Sequence, residues 1–372
     1  MIRSAALRAA FLAVPRELFV PETASKSGLE AVYRDEAIPT KLADNGAPIS
    51  SSSQPAIMAE MLDRLALEQG MRVLEIGAGT GYNAALLSQL VGATGRVDTI
   101  DIDADTARRA RRALRAGGYR VRVVVGDGRE AVAGLARYDR IIVTASSDTV
   151  PYAWFEQLVD GGIVEVPLRL REAAGAHVIA SLQKNGRGFR SVSIVCGGFM
   201  PLRDSGEPRL PWSMRSLTVT DLTGDAPQPV RQLSGAALVR LSPAAKRRLL
   251  AVSLKDPRRR SLGMRANAEA LVLYLSTALP VSGAVTVLPE WGVGLISRDG
   301  RSLAYVSGRA SNNRRTISSL AAQGTAAAER QLAAAIRTWD DLGRPGPEQL
   351  IIEVAYDGTL PRLRSRWSQR NA

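Results

Sequence analysis

Residues 73–84 read VLEIGAGTGYNA, and this stretch constrains the fold more than any other. A short apolar run ends in glycines, and a segment of helical spacing follows. Glycines at 77, 79 and 81 between a strand and a helix let a ligand approach the backbone at the carboxyl end of a sheet. The units around it repeat the pattern. Strands are predicted at 71–77, 95–103, 121–128, 138–146 and 163–168, with helices at 82–92, 104–118 and 151–162. Strand–helix alternation of this kind builds a doubly wound, Rossmann-like α/β sheet with helices on both faces. The stretches HVIASLQ and FRSVSIVCGGFMPL read as a terminal antiparallel pair.

The glycine spacing is E-x-G-x-G-x-G and not the G-x-G-x-x-G of a dinucleotide site. Glu75 suits the ammonium of S-adenosylmethionine (SAM) better than a pyrophosphate. Asp101 ends the second strand, where an acid commonly takes both ribose hydroxyls. Asp127, with Gly128 beside it, ends the third strand and is expected on the adenine side. The expected cofactor set is Glu75, Gly77, Gly79, Gly81, Asp101, Asp127 and Gly128.

The 372 residues exceed what one mean-sized domain needs, and their charge is unevenly placed. Residues 1–204 hold 25 Lys and Arg against 23 Asp and Glu, whereas residues 205–372 hold 24 against 13. The boundary falls in DSGEPRLPWSMRSLTVTDLTGDAPQPVRQ, rich in Pro, Gly and Asp. The expected organisation is a catalytic domain at 1–204, a linker at 205–232 and a basic α+β extension at 233–372. In that extension helices are expected at about 243–254, 265–279 and 316–341, with a last strand at 350–357. The densest basic clusters are KDPRRRS (255–261) and SNNRRT (311–316). Few aromatics accompany them, which argues against a platform for single-stranded nucleic acid. EWGVGLISRDG (290–300) suggests a hairpin carrying Trp291, expected in the core.

One cysteine, Cys196, permits no internal disulfide, and the chain reads as cytoplasmic. One histidine, His177, lies in a strand pattern, so neither a histidine-rich metal site nor a Ser-His-Asp hydrolase is expected. No metal is expected and no apolar run is long enough to cross a membrane.

Seven segments occur in an order that resembles the protein-L-isoaspartate O-methyltransferases: VPRELFVP (14–21), SQPAIMAEML (53–62), RVLEIGAGTGYNAALLSQL (72–90), GDG (126–128), YDRIIVTAS (138–146), LVDGGIVEVPL (158–168) and GFMPL (198–202). The resemblance covers roughly residues 5–203. It implies SAM-dependent transfer of methyl to a peptide carboxylate. It also implies that the serine of the S-Q-P segment lies beside the sulfonium and the substrate carboxylate. Alignment on Gln54-Pro55 puts that serine at Ser53, with Ser52 the alternative within the run of four. The same resemblance implies substrate contacts at Ser53, Met58, Val166 and Pro167.

Three features depart from a repair enzyme: the longer approach TKLADNGAPISSSSQP, the extra 170 or so residues, and their basic excess. They resemble a branch that methylates a normal aspartate in a ribosomally made, usually cyclised peptide, so that the ester closes to an aspartimide. An acidic modified peptide is then the expected partner. Two other readings remain: an isoaspartate repair enzyme with an accessory domain, and a nucleic-acid-binding methyltransferase.

Overall fold

The computed structural model describes residues 4–42, 46, 48–131, 137–171, 175–203, 216–221, 228–280, 282–288, 292–311 and 314–369. The chain opens with helix α1 (Ala5–Ala13), whose first turn is capped by the Ser4 hydroxyl accepting from Leu7 N at 3.3 Å. Helix α2 (Pro21–Tyr33) starts on a proline, which fits a first turn where its missing N–H costs nothing. An antiparallel hairpin of β1 (Ile38–Leu42) and β2 (Pro48–Ser52) leads into α3 (Pro55–Arg64).

The alternating segment follows: β3 (Arg72–Ile76), α4 (Tyr82–Val91), β4 (Arg96–Asp101), α5 (Ala104–Ala116), β5 (Val121–Val125), β6 (Tyr138–Val143), α6 (Tyr152–Gln157) and β7 (Leu158–Arg169). Strands β7, β6, β3, β4 and β5 lie side by side and parallel, as the sequence pattern predicts. Period-two alternation sends neighbouring residues to opposite faces. Val73 joins the core formed with α1, α3 and α4, whereas Leu74 and Ile76 join the core around Trp154. Antiparallel β8 (His177–Asn185) and β9 (Gly188–Cys196) extend the sheet beyond β7.

The helix expected at 151–162 ends at Gln157. Leu158 already pairs with Tyr138, and the next pair is Ile163 with Arg140. The intervening residues bulge out, with Gly161 in a left-handed conformation that favours glycine (φ 76°).

Among the described residues the second unit is a seven-stranded antiparallel sheet. Its elements are β10 (Ser216–Asp221), β11 (Gln228–Ser234), α7 (Pro243–Ser253), β12 (Arg258–Asn267), α8 (Ala268–Ala278), β13 (Ala284–Leu288), β14 (Gly292–Ile296), β15 (Ser302–Ser311), β16 (Arg314–Gly324) and α9 (Ala327–Asp341). Their order across the sheet is β10-β11-β13-β14-β15-β16-β12. Helices α8 and α9 share one hydrophobic core with the sheet, and α7 belongs to another. Helix α9 contributes Ala328, Leu332, Ile336 and Trp339, the spacing of one helical face.

Several expectations are corrected here. The predicted linker holds β10 and the start of β11, because SLTVT and QPVRQLS supply strand-forming runs between the Pro- and Gly-rich stretches. The long helix expected from 316 begins only at Ala327. Residues 314–324 pair on both sides, with β15 and β12, and Gly324 (φ 75°) breaks the strand before the helix. The helix expected from 265 starts at Ala268, after a strand carrying the first basic cluster. Trp291 lies outside the described residues, as do the side chains of the second basic cluster up to Arg315.

The largest correction concerns the C-terminus. Strand β17 (Leu350–Asp357) pairs with β9, and β18 (Leu360–Trp367) pairs with β17. These residues therefore extend the first sheet to nine strands among the described residues, in the order β18-β17-β9-β8-β7-β6-β3-β4-β5. Residues 233–372 are not one separate extension, since the chain returns to the first unit after α9. The return also joins the two units. Trp367 Nε1 donates to Thr277 Oγ1 at 3.0 Å, and its ring packs on Tyr274 of α8. Among the described residues no helix is long and apolar enough to cross a membrane, and no cluster of three metal-ligating side chains forms.

Candidate active site

A cleft of about 330 Å³ opens at the carboxyl ends of β3 and β4. Most of its lining comes from three groups of residues: the glycine loop after β3, the serine run with the start of α3, and residues 198–203 after β9.

The glycine loop is shaped by what cannot be there. Gly77, Gly79 and Gly81 have φ of 99°, 51° and 90°, the left-handed region that side chains resist. A Cβ on Gly77 would collide with the Thr144 hydroxyl, which donates to the Gly77 carbonyl at 2.8 Å. A Cβ on Gly128 would collide with Ile76. A Cβ on Gly79 would sit 3.4 Å from the Ser51 carbonyl, so the serine run lies directly against the loop. Gly77, Gly79 and Gly128 line the cleft. Gly81 packs instead toward Ala110 and Leu114 of α5 and caps α4.

Two acids face this loop. Asp101 ends β4 and lines the cleft; its Oδ2 accepts from Gly79 N at 3.1 Å and its Oδ1 from Asp103 N at 3.0 Å. Burial raises its carboxyl above the usual range, against those hydrogen bonds. Glu75 is fully buried, with Oε1 accepting from Asn83 Nδ2 at 2.8 Å and Oε2 from Thr99 Oγ1 at 2.5 Å. Burial pushes its carboxyl up to about 7, and the two donors hold it from going further. Asp127 is occupied elsewhere: hydrogen bonds from Arg129 lower its carboxyl, and of the GDG triplet only Gly128 lines the cleft.

The serine run is a strand and a wall. Ser50 and Ser52 of β2 are buried and Ser51 is half-buried, the alternation of a strand. Thr40 Oγ1 donates to Ser50 Oγ at 3.3 Å, and Arg16 Nε donates to Ser52 Oγ at 3.4 Å. Ser53, just past the strand end, is half-buried, lines the cleft, and its hydroxyl has no protein partner among the described residues. Met58, one turn into α3, is buried and also lines the cleft. Val166 and Pro167 do not. Both are buried in β7, Val166 in the sheet's core, while the Pro167 carbonyl accepts from Ser147 N at 2.9 Å.

Arg16 holds this wall and was not among the residues expected at the site. Only 1 % of it is exposed. Its guanidinium donates to the carbonyls of Val32 (2.7 Å), Arg34 (3.2 Å), Glu36 (3.1 Å) and Ser53 (3.0 Å), besides the Ser52 hydroxyl. It lies 5.9 Å over the Tyr82 ring. Burial lowers its pKa, and Tyr82 and Asp35 oppose that shift. The visible signal is the charged pair Arg16-Glu17 set between apolar residues in VPRELFV. A second tie runs from Lys41 Nζ of β1 to Asp103 Oδ2 at 2.6 Å. Partial burial raises the Asp103 carboxyl, but hydrogen bonds from Lys41 and Thr106 outweigh it and bring it down to about 2. The hairpin is thus fastened at one end to Arg16 and at the other to the N-cap of α5.

The arrangement can hold a flat, polar ligand over an uncluttered backbone, with Asp101 for paired hydroxyls and the Glu75 carboxyl beneath the loop. It has no histidine or cysteine at the cleft. The sole histidine, His177, starts β8 outside it, and burial lowers its pKa.

Comparison with known proteins follows the same division. Residues 1–205 match the family model of protein-L-isoaspartate(D-aspartate) O-methyltransferase. The chain is 39 % identical over 194 residues to the protein-L-isoaspartate O-methyltransferase of Ignicoccus hospitalis, covering 52 % of this chain and 86 % of that one. It is 42 % identical over 163 residues to the enzyme of the same name from Thermotoga maritima, covering 44 % of this chain and 50 % of that one. A solved protein-L-isoaspartate O-methyltransferase superposes with a TM-score of 0.53 at 25 % identity, over 97 % of this chain and 95 % of its own. That overlap extends through the second unit, so a chain of this length is not a departure from the family. With more than half of its length matched, the chain belongs to the protein-L-isoaspartate(D-aspartate) O-methyltransferase family, whose members are SAM-dependent carboxyl O-methyltransferases.

Proposed function

We propose that this protein methylates the side-chain carboxylate of an aspartate held in a conformationally constrained peptide, and that the ester then closes to an aspartimide. The observation that carries this reading is the serine wall. Ser53 offers the cleft a hydroxyl with no partner among the described residues, while the neighbouring Ser52 hydroxyl is occupied by Arg16. When bound, SAM supplies a sulfonium methyl that an in-line displacement moves to a carboxylate oxygen.

The residues then divide the work. Asp101 holds the ribose hydroxyls, Glu75 supports the amino-acid end beneath the glycine loop, and Gly77, Gly79 and Gly128 leave room for the cofactor to lie on the backbone. Ser53 donates to one oxygen of the substrate carboxylate and leaves the other free to react. Met58 and the hairpin exclude water. A carboxylate of ordinary pKa is already an anion at neutral pH, so no general base is needed; the acids at the cleft, Glu75 and Asp101, are left to hold the cofactor. In the ester, attack by the following backbone nitrogen on the ester carbon expels methanol and closes the imide. The hairpin from Ile38 to Ser52 forms the approach, and a constrained peptide arrives with less conformational entropy to lose there. The second unit serves peptide recognition.

Repair of isoaspartyl protein is the second reading. It has an observation of its own, the overlap of a solved protein-L-isoaspartate O-methyltransferase with both units. Labelled-methyl transfer to matched peptides separates the two. The expected preference for the constrained aspartyl peptide over the linear isoaspartyl peptide is at least about a hundredfold in kcat/KM. The product gains one methyl and then falls to one water below the starting mass. Methylation of the isoaspartyl peptide alone would establish the repair reading instead.

A further inference from the structure

The second unit carries a groove of its own. It is a cavity of about 150 Å³ between β12 and α9. Its apolar lining comes from Leu262, Leu320, Ala333 and Ile336. Two acids and two arginines ring it. Glu329 is paired with Arg258 at 3.2 Å and Asp340 with Arg344 at 2.8 Å. Arg260 and Arg337, both exposed, form no ion pair among the described residues. The groove therefore presents an apolar floor and two uncompensated positive charges.

The groove also borders an open backbone. Among the described residues strand β12 is the last of its sheet and pairs with β16 alone. Its first four residues, Arg258 to Ser261, run in regular register against Ala322 to Ser319 before the strand bulges. Their outer edge is a row of backbone donors and acceptors of the kind that takes up another strand. In a strand added there, alternate side chains would point to the α9 side of the sheet.

We propose that this edge binds an extended acidic peptide segment, added as a strand to β12. One apolar side chain fills the groove, and carboxylates two residues before and after it meet Arg260 and Arg337. The recognised pattern is acidic-x-apolar-x-acidic. This site is separate from the cleft, so peptide capture and methyl transfer can fail independently.

The test uses the full-length protein and a labelled peptide, Thr-Glu-Thr-Leu-Thr-Glu-Thr, followed by fluorescence anisotropy. The paired change Arg260→Ala and Arg337→Ala should weaken binding at least tenfold. Replacing the peptide's glutamates by glutamine should do the same, and so should methylating its backbone nitrogens, which removes donors without touching the protein. Arg364→Ala on distant β18 should leave binding unchanged. Equal losses from Arg364→Ala would mean general surface charge and overturn the site. Full binding by the N-methylated peptide would overturn strand addition. Duplex DNA competing through the same two arginines would assign the surface to nucleic acid.

Discussion

Arg16 and Arg260 place the same side chain in opposite roles. Arg16 is buried beneath the catalytic cleft, and its donors are spent on carbonyls and a hydroxyl from α2, the segment after it and the serine run. Arg260 stands exposed at the edge of the second sheet with no fixed partner. The buried cation organises backbone, because a guanidinium has five donors in a rigid fork and each must be satisfied away from water. The exposed one is available to a visitor, because water already satisfies it. Burial, not residue type, decides which arginine shapes the protein and which serves a partner.

The contrast is broken most directly at its buried end. Arg16→Met should destabilise the fold by about 3–5 kcal/mol, since several buried acceptors lose their donor together. Urea unfolding measures this, and a change below about 1 kcal/mol would mean that the wall stands without Arg16. The same substitution should abolish methyl transfer even where the chain remains folded.

A buried acid tests the same rule with the sign reversed. Glu75 titrates at about 7 in the folded chain and near 4.5 when unfolded. Between those values the unfolded state has released the proton and the folded state keeps it, so stability falls as pH rises through the window. The loss approaches about 3 kcal/mol above pH 7. Glu75→Gln should remove that slope, seen as a smaller change in unfolding midpoint between pH 5 and pH 8 than in the parent. Equal slopes in both proteins would show that Glu75 is ionised in the fold.

Asp101→Ala should weaken SAM binding by about 1.5–3 kcal/mol, the loss of charge-assisted hydrogen bonds to the ribose. Unchanged affinity in calorimetry would remove Asp101 from the cofactor site. Ser53→Ala should lower turnover more than tenfold with SAM affinity intact, because it orients the substrate carboxylate. Ser52→Ala should act mainly on stability, through the bond to Arg16. If Ser52→Ala alone slows the chemistry, the roles within the serine run are exchanged. At the exposed end, Arg364→Ala should leave the unfolding midpoint where it was; a clear shift there would blur the distinction between the two kinds of arginine.

The sequence by itself determined the local chemistry. VLEIGAGTG dictates a strand, a left-handed glycine turn and a helix, because few residues tolerate those backbone angles. Acids at the ends of successive strands follow from a pattern that repeats every few dozen residues. These signals are local, so the parallel sheet and Asp101's place at the cleft were legible. Tertiary structure decided everything that depends on distant partners. No local pattern says that Arg16 will close over Ser52 and Ser53, or that Asp127 will be claimed by Arg129. Val166 and Pro167 look the same in sequence whether β7 shows them to a ligand or to the core. Strand β16 reads as an alanine-rich helix until β12 and β15 pair with its two edges. The C-terminal hairpin joins the first sheet because β9 presents an open edge there, and hydrogen bonds across an edge depend on which strands meet, not on how far apart they lie in the chain.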